Sequence, residues 1–340
     1  MIAITNSLRP LSLVAPQPSA SRPAQPVRPE SRDQVILNGA RDPDHPPHDP
    51  PEHGRLSGTL AVNGQDGAAM QAGQPALWRL RFADPHTGEP VREFDIEHEK
   101  PMHAIVVSQD LETFAHLHPY LNPDGTFHMP VNETLCDPDN RDAVRAVTKA
   151  GPHFVFAEVK PKDRGVEMHR FRVEASGPPA PVAPTPDPVG DDGLIRKYFT
   201  ADGQPGQAGD FYEVTVRVDD HRHHGMLHVN YTLKKANEAG GYDPVRDAEN
   251  WLGMPGHGVF IGAAGETADA RFFAHLHAGH QGGHAAPTVL HDGEHGAGPD
   301  FMFMLHGEMP PDGVYKMWGQ FKREGQVLTF PVTFELFPHH

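Results

Sequence analysis

Short runs in which apolar and polar residues alternate recur along the chain, separated by clusters of Gly, Pro, Asp and Asn. GTLAV, ALWRLRF, HAIVVS, FAHLH, TFHMPV, HFVFAEV and MHRFRVEA follow one another between residues 58 and 175. YEVTVRV, MLHVNYTL, HGVFIG, FFAHLH, FMFML, VYKMWGQF and LTFPVTFEL do the same between residues 212 and 336. A period of two marks a half-buried strand, because successive side chains leave a strand on opposite faces. Helical periodicity is almost absent, and only NRDAVRAVTKAG (140–151) has room for one helical turn or two. About seven short strands in roughly 120 residues predict an antiparallel sandwich of immunoglobulin-like size. The expected fold class is therefore all-β: two tandem immunoglobulin-like antiparallel β-sandwiches, preceded by a disordered Pro-rich arm.

The boundaries follow from proline. Residues 1–53 hold 11 of the 36 prolines and almost no aromatic residues. Such a leader buries too little apolar area to offset its ordering entropy, so it is expected to be disordered. ASGPPAPVAPTPDPVGDDG (175–193) holds six more prolines and reads as a semi-extended linker. Two blocks remain, 54–174 and 194–338, and they resemble each other. Pro90, Val91, Arg92 and His103 fall on Pro244, Val245, Arg246 and His257 at an offset of 154. FAHLH occurs at 114–118 and 273–277, an offset of 159. GPHFVFAEVK (151–160) falls on GVYKMWGQFK (313–322) at an offset of 162. The order is the same and the extra residues fall in loops, which is the signature of an internal duplication.

Composition narrows the function. The 340 residues carry a formal charge of −16, which repels phosphate and argues against nucleic acid or an anionic membrane as partner. No apolar run approaches the roughly 18 residues of a membrane span. The opening MIAITNSLRPLSLVAPQPSA has no basic start and no sustained apolar core, so it does not read as a secretory signal. A single cysteine excludes an intramolecular disulfide and any multi-thiolate metal site. Against this stand 25 histidines.

Six of them recur in the duplication. With KPMHAIVVS and TFAHLHPYL read as a hairpin, Val107 opposes Phe114, Ile105 opposes His116 and His103 opposes His118. All six side chains then share one face, and opposed side chains lie about 5 Å apart at Cβ. The second block repeats the pattern, with His257 opposite His277, Val259 opposite His275 and Ile261 opposite Phe273. Each block is thus expected to gather three imidazoles at one end of an apolar face: His103, His116 and His118, then His257, His275 and His277. Three neutral imidazoles with an open position make a divalent-metal site. Met102 and Met254 lie near the same turns as thioether candidates. Imidazole with thioether and no thiolate points to copper, with zinc or nickel as alternatives. Affinity should then fall below about pH 6.5, because ligating imidazoles must be neutral.

Other histidines carry less information. His45, His48 and His53 lie in the leader, and the Gly-rich stretch 277–296 adds several more. HRHHGMLH (221–228) could form a secondary patch from His221, His223, His224, Met226 and His228. Solvated loops explain these equally well, and His339 and His340 are too few to act as an affinity tag. HLHAGH (275–280) has the spacing of binuclear metallohydrolases, but the first block reads HLHPYL and the helices such enzymes need are missing. Cys136 has no histidine nearby until His153, which excludes a blue-copper site. A zinc hydrolase would need a proton acceptor. Glu99 and Glu158 are candidates, but their counterparts in the second block are Gly253 and Gln320.

EKPMHAIVVSQDLETFAHLHP, DGTF and AGPHFVFAEVKP resemble the YtkA-like or FixH-like bacterial extracytoplasmic β-sandwich module. The second block echoes it through GMPGHGVFI, FAHLH and DGVYKMWGQF. The resemblance implies a periplasmic or surface-exposed role in handling copper or other heavy metals, and a protein partner in metal transfer is a further expectation. The expected function is metal binding, sequestration or delivery, one ion to each block. The alternatives are a non-catalytic interaction module with structural histidines and, behind it, a zinc-dependent hydrolase.

Overall fold

The structure, a computed structural model, describes residues 55–66, 69–135, 138–177, 184–280 and 300–338. The leader, Cys136, the Gly-rich stretch 281–299 and the terminal histidines lie outside the described residues. The first block holds β1 (Ser57–Val62), β2 (Gln65–Asp66), β3 (Ala69–Gln71), β4 (Ala76–Ala83), β5 (Met102–Ser108), β6 (Phe114–Leu117), β7 (Tyr120–Leu121), β8 (Phe127–Val131), β9 (Gly151–Val159) and β10 (Glu167–Ser176). The second holds β11 (Ile195–Phe199), β12 (Tyr212–His221), β13 (Met226–Ala236), β14 (Tyr242–Pro244), β15 (Ala248–Glu249), β16 (His257–Gly262), β17 (Phe273–His280), β18 (Asp300–His306), β19 (Gly313–Arg323) and β20 (Gln326–Leu336).

The first block packs a sheet ordered β2-β1-β4-β8-β7 against one ordered β3-β10-β9-β5-β6. Pairing is antiparallel throughout, except where β3 lies parallel to β10. In the second block the two sheets run on as one, ordered β11-β12-β13-β18-β17-β16-β19-β15. One residue accounts for the difference. Pro119 stands in the first copy where the second has Ala278. Ala278 N–H donates to the Gly256 carbonyl at 2.8 Å, and β17 continues from one sheet into the other. Proline has no N–H to give, so the first copy breaks between β6 and β7.

Each sandwich has its own core, built around Trp78, Phe82 and Phe127 in the first and Tyr231, Phe303 and Phe330 in the second. A third cluster joins them, with Ile105, Val107, Phe114, Phe154 and Phe156 against Val259, Ile261, Phe273 and Trp318. The β5–β6–β9 face of one sandwich therefore lies on the β16–β17–β19 face of the other. Phe114 stacks on Trp318 with centroids 4.7 Å apart, and Phe156 stacks on Phe273 at 4.3 Å. The duplication maps Phe114 onto Phe273 and Phe156 onto Trp318, so these two stacks are one contact made twice. The interface is isologous, like that of a two-fold homodimer, but within one chain. At its rim the equivalent pairs have diverged. Arg271 lies over the Phe154 ring at 4.7 Å, whereas its counterpart Glu112 bridges to Lys316 at 3.1 Å.

The helical turn expected within 140–151 is a 3₁₀ segment at Pro138–Arg145, interrupted by non-helical backbone at Asn140. Asn140 leaves the helical region because its side chain is occupied elsewhere. Its Oδ1 accepts from His118 N–H at 2.7 Å, and its Nδ2 donates to the His118 carbonyl at 3.2 Å. That pair of bonds fixes the backbone where β6 ends.

Candidate metal centre

The hairpin registers are those expected from the alternation. Val107 pairs with Phe114 and Ile105 with His116; in the second block His257 pairs with His277, Val259 with His275 and Ile261 with Phe273. Period-two geometry therefore puts each histidine trio on the face that meets the other block. The expectation of two separate patches changes here. Because those faces are packed on each other, the two trios meet in one buried cluster. Five of the six are at most 9% exposed, from 0% at His257 to 9% at His275, and His277 is half-buried. Rings from opposite blocks approach as closely as rings within one block: His116 and His275 lie 5.1 Å apart, and His103 and His275 lie 5.4 Å apart.

The hydrogen bonds fix the tautomers. His103 Nε2 faces the Glu97 carbonyl at 3.0 Å, an acceptor only, so this nitrogen carries the proton. His116 Nδ1 faces Gln320 Oε1 at 2.8 Å, while the Gln320 amide nitrogen is turned to Thr329 Oγ1 at 3.2 Å. His118 Nδ1 donates to the Asp139 carbonyl at 3.0 Å. In a neutral imidazole the other nitrogen then carries a lone pair. His103 Nδ1 thus offers a lone pair toward His116 Nε2, which stands 3.1 Å away. His118 Nε2, His275 Nε2 and both nitrogens of His257 are buried with no hydrogen-bond partner among the described residues.

Protonation does not relieve this crowding. Burial holds His103, His116, His118, His257 and His275 well below the ordinary histidine pKa, and neighbouring imidazoles depress each further. These five rings are neutral at pH 7 and rich in lone pairs. Two groups have ligand atoms within 4.8 Å of one another: His103, His116 and His275, and His257, His275 and His277. His275 belongs to both. His118 belongs to neither, so a residue of the second block completes the first group in its place. The His118 ring keeps contact with His116 at 4.8 Å and backs onto Trp251 at 6.0 Å.

Of the two candidate proton acceptors, Glu158 lies 3.9 Å from His275 Nδ1. Glu99 is exposed in a turn with φ of 65° and takes no part. The Met102 side chain points into the core of the first sandwich, away from the histidine face. Strand alternation gives no sign of two further residues. His98, also in that turn with φ of 44°, brings its ring to 4.0 Å from His277. Trp251 lies 4.9 Å from His257 and 5.4 Å from His116, its Nε1 donating to Asp139 Oδ1 at 3.2 Å. The duplication is the signal that could have found Trp251. It falls on Glu97, and the bridge Trp251–Met254 repeats the bridge Glu97–Lys100.

A family model described as a domain of unknown function (DUF8832) matches residues 207–336, less than half of the chain. No curated protein matches. Among solved structures, the chain is similar to a tetra-tandem repeat from the extending region of a large adhesion protein. That pair shares 9% identity over 83% of this chain and 49% of the other, with a TM-score of 0.23. Domains 4–9 of the surface layer protein SbsC give 12% identity over 84% and 31%, with a TM-score of 0.20. A 1.5-MDa bacterial ice-binding adhesin gives 9% over 83% and 98%, with a TM-score of 0.21. The chain thus spans half or less of the first two. Fold and site together define a duplicated all-β chain with one histidine cluster buried between its halves. No helix among the described residues is long and apolar enough to cross a membrane.

Proposed function

We propose that the interdomain cluster binds a divalent transition metal, copper before zinc or nickel, and that the chain sequesters or delivers it. One observation carries this reading. His103 Nδ1 and His116 Nε2 converge to 3.1 Å, with their other nitrogens facing the Glu97 carbonyl and Gln320 Oε1. Metal–imidazole bonds of about 2.0–2.1 Å place two ligands of one ion about 3 Å apart. An ion between the two rings would take a lone pair from each. The donors are imidazoles, which suit copper, zinc and nickel alike.

Burial supports holding over turnover. The small cavity beside the cluster, lined by His116, Asp139, Trp251 and Gln320 among others, has a volume of about 10 Å³. That is about the space of one water. An extracytoplasmic location rests on the likeness of the first block to the YtkA-like or FixH-like module, and delivery would call for a protein partner. The test is elemental analysis of tag-free protein, followed by native mass spectrometry with added Cu(II), Zn(II) and Ni(II). A His103→Gln/His275→Gln variant should lose tight metal. Undiminished stoichiometry in that variant would overturn the assignment, and metal-free behaviour in both proteins would leave the interaction module with structural histidines.

A further inference from the structure

A second set of metal-binding side chains lies on the other sheet of the second sandwich. In β13 and β18, Leu227, Val229, Tyr231, Phe301, Phe303 and Leu305 fill the core. The residues between them therefore face away from the core, and all but the buried Asn230 are only half-buried. Solvent-facing positions of an antiparallel strand are ordinarily polar. Here they include Met226 and His228 on β13, and Met302, Met304 and His306 on β18.

The register assembles them into rows. His221 of β12 pairs with Met226, and Met226 pairs with His306. In the adjacent row on the same face, Asp219 pairs with His228, and His228 with Met304. Directly opposed side chains lie about 5 Å apart at Cβ, so two thioethers and three imidazoles share one small area. The His221 and His228 rings are 6.3 Å apart, and His228 Nε2 is buried with no hydrogen-bond partner among the described residues. The carboxylate in the patch is already engaged. Asp219 accepts from Arg217 Nε at 3.1 Å and from Asn230 Nδ2 at 2.8 Å. The donors left over are soft sulfur and imidazole nitrogen, and the two thioethers favour monovalent copper over hard ions.

We infer that His221, Met226, His228, Met304 and His306 form a surface site for a soft monovalent metal ion, Cu(I) by chemical class. The site stands independently of the buried centre: it uses a different sheet, different ligands and a different oxidation state. A hairpin face open to solvent also suits capture and release, which the buried cluster does not.

Silver(I), a redox-inert probe of the same class, tests this on the full chain carrying ¹³C-methyl methionine. Adding Ag(I) should shift the methyl resonances of Met226 and Met304 before those of Met102 and Met129, which are buried in the first sandwich. Met226→Leu/Met304→Leu, a volume-conserving pair, should abolish that uptake while leaving the melting temperature and Zn(II) stoichiometry unchanged. The inference is overturned if the two resonances stay in place, or if the double variant takes up Ag(I) as the parent does. The methyl shifts are read on the unsubstituted protein, so misfolding of a variant would not obscure the outcome.

Discussion

Glu158 and Gln320 occupy one position of the duplicated sandwich, an acid on one side of the pseudo-two-fold axis and an amide on the other. Each reaches across to the equivalent histidine of the opposite block. Gln320 accepts from His116 at 2.8 Å, and Glu158 stands 3.9 Å from His275 Nδ1. The amide fixes a tautomer without charge, while the carboxylate can also offset the charge of an ion. Glu158→Gln should therefore weaken divalent-metal affinity about 10-fold or more, the usual loss when a partner of a ligating histidine is removed. Stability without metal should hold or rise, because a partly buried charge is removed. Competition titration against a chelator and melting of chelator-treated protein measure the two effects, and unchanged affinity would count against His275 as a ligand.

Acid should destabilise the metal-free protein from an early point. Burial lowers the folded-state pKa of His103, His116, His118, His257 and His275, whereas each titrates near 6.5 in the unfolded chain. Below that value the unfolded state binds more protons. The stability held by these neutral rings is therefore present above about pH 6.5 and is lost as pH falls, by up to about 1.4 kcal/mol per pH unit for each histidine. Urea midpoints of chelator-treated protein should be level above about pH 7 and fall steeply toward pH 5. The same depression alters the sequence-based expectation for affinity. Rings kept neutral by the fold remain ligands below pH 6.5, so binding should persist until the fold itself gives way.

The stacked pairs Phe114–Trp318 and Phe156–Phe273 make a further prediction. Each is buried between the sandwiches, so Phe114→Ala and Phe273→Ala should each cost about 3–5 kcal/mol, as for other large aromatic truncations in cores. The two values should be similar, since the residues hold equivalent places in an isologous contact. Urea unfolding followed by tryptophan fluorescence gives both. A cost under about 1 kcal/mol for either would show that the faces do not pack on each other in solution.

The strands, their register and the facing of both histidine trios were legible because alternation and the duplication are local signals. The docking of the trios onto each other leaves only a trace in the sequence. HAIVVS, HFVFAEV and HGVFIG run nearly unbroken in apolar character, and every residue of β5 and β16 is buried. Unbroken runs belong to strands covered on both faces. Size masked that clue, because a short apolar run fits a sandwich interior equally well. His98 was hidden for a different reason. It sits in a positive-φ turn, where no periodicity points a side chain anywhere. The continuity of β17 through Ala278, against the break at Pro119, was open to simple comparison of the two copies.

His275 and His118 separate a cross-block centre from two independent ones. If each block bound its own ion, the equivalent residues His118 and His277 would matter alike, and losing His275 would leave the first trio intact. The structure gives them unequal places. His275 belongs to both groups of converging ligand atoms, while His118 belongs to neither and spends its Nδ1 proton on the Asp139 carbonyl. His275→Ala should therefore abolish tight metal binding altogether. His118→Ala should keep it within about tenfold while costing about 1–3 kcal/mol through the lost hydrogen bond and the space left beside Trp251. Native mass spectrometry with limiting Cu(II) and Zn(II) reads stoichiometry for both variants, and thermal melting reads the stability term. Equal losses from the two substitutions, with half the metal retained in each, would restore the picture of one independent site per block.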